Sequence, residues 1–455
     1  MEETLPTPSV AQRLAEAVWA TDYLPDAMRA KCEMLAIDVI GLCVTARNAD
    51  YVASALDGWD EDGPCTAIGH VRGLSAAGAA FVNGTAAHGE DFDDTFEGGP
   101  VHAGAVIVPA VLAVGERFGI GGPAILRGIA VGTEVMCRLS LVTPKLVHQA
   151  GFHPTAVFGT LAAAIGVATT LALDRHQMVD AVGIAGSMAG GIIEYLADGA
   201  WTKRLHAGWA AQSGVRAALL ARAGFNGPRT VLEGTHGLFH GFAHTTAGDY
   251  AALVDDFGRR WVSETLAFKL YPCGTMTHPY IDCARRMAAR GIAADEIEEL
   301  VCEVGEGTVH RLWEPLAAKQ RPANGYGAKF STPYCIAAGF VRRSVGLDAF
   351  TDAAVRDPAV LALAHKVRYV VDPANPYPRN FTGHIRARLR GGREVEERQP
   401  HMRGGAHEPL SRADIEEKFA LNAAHGGWDA AQIAAALRLA CRLYDDPANL
   451  GILRG

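Results

Sequence analysis

None of the nine cysteines forms a C-x-x-C pair, and lysine and arginine never gather into a block. Without clustered cysteines the chain lacks the ligand spacing of zinc ribbons and ferredoxin-type clusters, and an odd number of scattered thiols fits a reduced, cytoplasmic protein. Without a basic footprint, neither nucleic acid nor an anionic membrane is an expected partner. The formal charge is 42 − 50 = −8. The acidic start, Met1-Glu2-Glu3, carries no apolar core with a cleavage site, so neither a secretory nor a transit peptide is visible. No G-x-G-x-x-G follows a strand, and no Walker A motif is present. Before Gly186-Ser187 stands Ala185, where a nucleophile elbow requires glycine. Asp91-x-Asp93 fails as an EF-hand, because its sixth position is Phe96 and its twelfth His102. Nucleotide binding, serine hydrolysis and calcium binding are therefore disfavoured.

Apolar residues make up 49% of the chain and charged residues 20%, which is enough hydrophobic content for a packed core and far from disorder. The 455 residues suggest two or three domains. Up to about Trp261 the periodicity is helical. Met28, Cys32, Leu35, Val39 and Leu42 step by four and three and form one inward stripe. From Pro154 to Leu173 no residue is charged, but the stretch is rich in Ala and Thr and lacks interfacial anchors, so a buried central helix is expected rather than a membrane span. After Trp261 short strands appear. Residues 298–307 and 366–372 carry β-branched and aromatic residues, and in 384–399 Ile385, Ala387 and Leu389 alternate with Arg before a Gly391-Gly392 turn. Helical character returns at Ser411-Arg-Ala-Asp, a capping-box start. The expected architecture is mainly α: a large all-helical domain from residues 1–266 plus 404–455, with a smaller α+β domain, 267–403, inserted.

The densest polar cluster runs from His88 to His102 between apolar segments. If helix continues through Thr95, then His88, Asp91 and Thr95 share a face while Asp93 and Asp94 point elsewhere, and Gly98-Gly99-Pro100 breaks the helix. His102 then precedes a helix, Ala103–Phe118, whose N–H groups could receive a carboxylate or phosphate. His153 stands before Pro154 at the N-cap of the uncharged helix. Lys203 and His206 lie one helical turn apart, and Lys269 and His278 lie near the junction of the two regions. A rival reading takes Asp93-Asp94-Thr-Phe-Glu97 as a D-D-x-x-E diphosphate–Mg²⁺ motif. Its second metal motif would be Asn226-x₃-Thr230-x₃-Gly234, which ends in glycine and leaves half the metal site missing.

Taken in order, FVNGTAAHGEDFDDTF (81–96), PAVLAVGE (109–116), GFHPTAVFGT (151–160), WTKRLHAGWAAQSG (201–214), FKLYPCGTMTHPYID (268–282), AKFSTPYCIAAG (328–339) and IEEKF (415–419) resemble the MmgE/PrpD family. That family contains 2-methylcitrate dehydratase, cis-aconitate decarboxylase and iminodisuccinate epimerase. The resemblance implies a homodimer and a cofactor-free, metal-free lyase acting on a small di- or tricarboxylate. A 2-methylcitrate-dehydratase-like hydro-lyase is the expected activity, with decarboxylase and epimerase as alternatives. A non-catalytic carboxylate-binding protein on the same scaffold is the alternative of another class. The resemblance assigns His102, His153, Asp91, Lys203 and Lys269 to catalysis, and Thr95 and His278 to substrate binding; His206, one helical turn from Lys203, is expected to join the substrate-binding set. Where many members have His-Pro-Ser or His-Pro-Gly, this chain has His102-Ala103-Gly104, a departure beside the expected pocket. The chemistry is consistent: a base moves a proton at carbon next to a carboxylate while cations hold the developing charge.

Overall fold

The computed structural model describes residues 7–99, 101–443, 445 and 449–455; Met1–Glu3 and Pro100 lie outside the described residues. The described residues are 56% helical, which makes the fold mainly α. It divides into two compact units. The first comprises residues up to Gly89, Asp93–Leu266 and Ser411–Gly455, and the second comprises Glu90–Phe92 and Ala267–Leu410.

The first unit is a helical assembly. Its elements used below are α1 (Asp26–Ala46), α2 (Ala76–Gly89), α3 (Ala103–Phe118), α4 (Gly122–Val142), α5 (Pro154–Thr170), α6 (Thr202–Arg222) and, from the far end of the chain, a helix at Arg412–His425. The Met28–Leu42 stripe of α1 is buried as its spacing demands, and from Leu35 to Ala46 every residue is buried, so this helix is enclosed beyond a single stripe. The uncharged stretch forms α5, all of whose residues are buried. No helix among the described residues is long and apolar enough to cross a membrane. The helix at Arg412–His425 starts at a reciprocal Ser411/Asp414 capping box. It is locked to α1 by a Lys418–Asp38 ion pair at 2.8 Å and by Thr45 Oγ1 donating to the Asn422 carbonyl at 2.6 Å. Eight of the nine cysteines are buried, and all nine are free thiols.

Small residues decide how closely the site-bearing helices cross. A Cβ on Gly84 of α2 would stand 2.8 Å from the Gly208 Cα of α6, and one on Gly208 would collide with the Phe81 carbonyl and the Thr85 hydroxyl. Because the obstacle is largely backbone, it cannot rotate away. Gly208→Val is expected to destabilise the protein by about 1–3 kcal/mol through overpacking. Urea unfolding of the variant beside the parent checks this.

The second unit carries a four-stranded sheet and the helix α7 (His278–Ala289). Its strands are β1 (Ile297–Val304), β2 (Val367–Val371), β3 (Gly383–Leu389) and β4 (Glu394–Gln399), in spatial order β2-β1-β3-β4. β1 pairs parallel with β2 and antiparallel with β3. Ile385, Ala387 and Leu389 point inward while Arg386 and Arg388 are exposed, the alternation expected of a half-buried strand. The β3–β4 hairpin turns at Gly391 and Gly392, both with positive φ (84° and 80°), which glycine adopts without strain. The unit runs to Leu410 rather than ending at 403, because Gly404 remains tied to it: its carbonyl accepts from Phe268 N–H at 2.9 Å, and its N–H donates to the Glu408 carbonyl at 2.7 Å.

Candidate active site

The polar segment after α2 departs from the helical expectation. Helix stops at Gly89, Asp91 takes a left-handed conformation (φ 54°), and Thr95–Phe96 is extended. Aspartate tolerates that region better than most residues, and one such residue suffices to turn the chain. His88, Asp91 and Thr95 therefore do not line a continuous helical face. The turn instead aims Asp93 back at α2, where its Oδ2 lies 2.6 Å from His88 Nδ1. The same oxygen is 3.6 Å from His102 Nδ1. Neither His88 nor Asp93 exposes any side-chain surface, whereas His102 exposes 13% of its own, so only His102 of the three presents itself to a ligand.

His102 is held by two further contacts. Its Nδ1 lies 2.7 Å from the Asp94 carbonyl oxygen, and its backbone N–H donates to Thr155 Oγ1 at 3.3 Å. A carbonyl oxygen only accepts, so Nδ1 must carry a proton; in the neutral ring the lone pair then sits on Nε2. Sequence order alone leaves this tautomer undetermined.

Asp94 corrects a second expectation. Its Oδ2 accepts from Gly104 N–H at 3.0 Å, so the N-terminus of α3 is already occupied by a carboxylate of this chain. A Cβ at position 104 would clash with Asp94, so the carboxylate requires glycine there; alanine in place of proline at 103 gets no reason from this contact. Burial, then the neighbouring Asp93, push the Asp94 carboxyl up to about 7, against the pull of the Gly104 N–H. The folded state thus keeps a proton that the unfolded chain releases near 3.8. The resulting stabilisation is complete below that value and is lost as pH rises through about 7. His206 works in the opposite direction, so the comparison must be made against a variant. Asp94→Asn is expected to remove the downward slope of unfolding free energy between about pH 4 and about pH 7, as read by urea titrations across that range.

His153 and His206 form the next layer. His153 is the N-cap of α5, yet its ring does not cap the helix; its Nδ1 lies 3.1 Å from His206 Nδ1. Burial, followed by His88, His206, Lys203 and His102, holds His153 well below its ordinary range. Burial, followed by His88 and Lys203, brings His206 down to about 4. Both rings are therefore neutral near pH 7, one Nδ1 donating and the other accepting. The rings follow one another: His88–His102 centroids at 4.9 Å, His88–His153 at 5.7 Å and His153–His206 at 5.2 Å. Tyr195, which sequence reasoning passes over, packs edge-on against His153 and His206 at 6.1 and 5.7 Å.

Lys203 lies in the first turn of α6, one turn before His206, and is 8% exposed. Its charge is one of the causes that hold His153 and His206 below their ordinary range. The first unit thus brings together His102, His153, His206 and Lys203; Thr95 is buried on the extended segment that leads to His102. In the second unit Lys269 Nζ donates to the Asp91 carbonyl at 3.0 Å, both residues being buried. His278 opens α7 and packs against Tyr271 at 5.1 Å. Burial would raise the neighbouring Cys273 thiol, but the Cys335 thiol, His278 and Lys269 outweigh it and bring it down to about 5.

His88, Asp93 and His102 offer donor atoms within 4.8 Å of one another, close enough for a metal ion. Both of their facing Nδ1 atoms are already engaged, with Asp93 and with the Asp94 carbonyl, so an ion there would have to displace those hydrogen bonds.

Fold and motif order together define a two-unit MmgE/PrpD architecture, and comparison with known sequences makes the membership explicit. The MmgE/PrpD N-terminal domain matches residues 12–250 and the MmgE/PrpD C-terminal domain residues 271–440, so the chain belongs to this family. Among its relatives, the cis-aconitate decarboxylase of Mus musculus is 31% identical over 361 residues, covering 76% of this chain and 71% of the relative. The cis-aconitate decarboxylase of Homo sapiens is 30% identical over 370 residues, covering 77% and 73%. A cis-aconitate decarboxylase-like protein of Aspergillus oryzae is 27% identical over 429 residues, covering 88% of each chain.

Proposed function

We propose that this chain is a lyase acting on a small tricarboxylate, and that its reaction is decarboxylation of cis-aconitate or a close analogue. The observation that carries the reading is the buried set formed by Lys203 with His153 and His206, which lies beside a His102 whose Nδ1–H is committed to the Asp94 carbonyl. Such a set supplies one fixed cation for carboxylates and one imidazole whose Nε2 can hold or release a proton. The names of the relatives favour the decarboxylase over the expected 2-methylcitrate hydro-lyase.

The net step is the replacement of a carboxylate by a proton. The bond from carbon to carboxylate breaks, CO₂ leaves, and the electron pair left on the substrate takes a proton from an acid. His102 suits that role: its Nδ1–H is held by the Asp94 carbonyl and its ring is the partly exposed one of the cluster, so Nε2 is the atom placed to carry the proton. His153 and His206, held neutral, can orient carboxyl groups but are poor proton carriers near pH 7. Lys203 fits the clamp on the carboxylates that remain, in a water-poor setting that strengthens the pairing. The family motifs extend the proposal to Asp91, Thr95, Lys269 and His278.

The test is incubation with cis-aconitate, citrate and 2-methylcitrate, followed by proton NMR and CO₂ capture. Consumption of cis-aconitate with stoichiometric CO₂ is expected. Loss of water from 2-methylcitrate with cis-aconitate untouched would replace this reading by the hydro-lyase, and turnover of none of them would overturn the lyase assignment.

A further inference from the structure

His88 and Asp93 form a pair to which nothing above assigns a function. Each has no exposed side-chain surface, so neither can touch a substrate directly. Yet burying an imidazole and a carboxylate together is expensive unless their arrangement is used or fully compensated. The compensation here is partial: His88 Nδ1 meets Asp93 Oδ2 at 2.6 Å, while His88 Nε2 is buried without a hydrogen-bond partner among the described residues. Most buried polar atoms are satisfied, and one that is not marks a place where stability is not the quantity being served.

What the pair touches is His102. Asp93 Oδ2 lies between the two imidazoles, 2.6 Å from one and 3.6 Å from the other, and the His88 ring lies 4.9 Å from the His102 ring. The Nδ1–H of His102 therefore points into a fork made by the Asp94 carbonyl at 2.7 Å and the Asp93 carboxylate. The His88 hydrogen bond is one of the contacts that hold that carboxylate in place. We infer that the buried His88–Asp93 pair is a positioning device for His102: it holds the Nδ1 edge of that ring in the fork and so sets the direction of Nε2. This inference rests on the proposed proton-transfer role of His102, and it concerns residues to which that role assigns no part. Its members come from the two sides of the turn at Asp91: His88 from the end of α2, Asp93 from the segment beyond it.

His88→Asn and His88→Leu separate positioning from bulk packing. Asparagine can place its amide N–H near the position of Nδ1 and keep the donor to Asp93, whereas leucine fills the space without it. The leucine variant is expected to lose about 100-fold in kcat on cis-aconitate with KM little changed, the scale of a misplaced reacting group. The asparagine variant is expected to recover most of that loss. Asp93→Asn approaches the same pair from its other side, with a loss in kcat of the same kind, and carries the test should the leucine variant not fold. A readout independent of turnover is the ¹⁵N-resolved signal of His102 Nδ1–H. It should persist in the parent and in His88→Asn and be lost to exchange in His88→Leu and Asp93→Asn. Full kcat with an unchanged His102 signal in the leucine variant, or an asparagine variant as impaired as leucine, would overturn the inference. If the parent turned over no polycarboxylate, the proposed reaction would fall, while the His102 signal would still decide whether the pair positions the ring.

Discussion

His102→Gln is expected to lower kcat on cis-aconitate by about 1,000-fold, within the range for removing a positioned general acid or base. KM should move by no more than a few-fold, since Lys203, proposed to hold the carboxylates, is untouched. Glutamine is the informative replacement because its amide approximates the reach of Nε2 without being able to carry and release a proton at that point. The variant should fold, because His102 is the member of its cluster that reaches solvent and its backbone N–H bond to Thr155 Oγ1 does not need the ring. Steady-state kinetics beside thermal unfolding checks both halves. A variant with unchanged melting and parental kcat would remove His102 from the chemistry.

Lys203→Met is the second large effect. Removing the cation proposed to face developing negative charge is expected to cost about 100- to 1,000-fold in kcat/KM, mostly in kcat if the charge grows along the reaction and in KM if it is already present in the bound acid. The ammonium is 8% exposed, in the first turn of α6 beside His153, and His206 in that helix is held near 4 partly by its charge. Thermal unfolding run beside the kinetics separates a loss of function from a loss of fold. His206 should then titrate closer to its ordinary value, which proton NMR of the imidazole signals can follow. Lys203→Arg is not expected to rescue, because a planar fork cannot take the place of a compact ammonium in an enclosed site. A destabilised variant with unchanged kinetics would contradict the assignment.

Much of the fold is legible from periodicity because it depends on local rules. The Ile385–Leu389 alternation, the glycine pair at 391 and 392, the Ser411 capping box and the uncharged stretch of α5 each express a preference that the tertiary structure leaves in force. The candidate site is legible as a set of residues but not as a geometry. His102, His153, Lys203 and His206 are visible as polar residues in apolar surroundings, and one turn of helix correctly joins the last two.

The segment from His88 to Asp94 misleads the sequence reading, because a helical period carried past Gly89 sends Asp93 away from the other site residues. The left-handed Asp91 reverses the chain, so Asp93 faces His88 and Asp94 caps α3. No local preference in the sequence announces that reversal; it is tolerated at aspartate rather than demanded by it. His88 remains without a role in the sequence reading for the same reason, although it lies in the densest polar cluster. The occupied N-terminus of α3 is likewise a tertiary fact, legible only once Gly104 is seen to make room for a carboxylate.

The measurement that tests the central claim most directly is proton and deuterium NMR of cis-aconitate incubated with the protein in D₂O. Proton transfer to carbon accompanying loss of carboxylate predicts a product lacking one carboxyl group and carrying one solvent deuteron per CO₂ released, with both signals falling together in His102→Gln. Recovery of cis-aconitate with neither CO₂ nor deuterium incorporation, under conditions where the protein is folded, would contradict it.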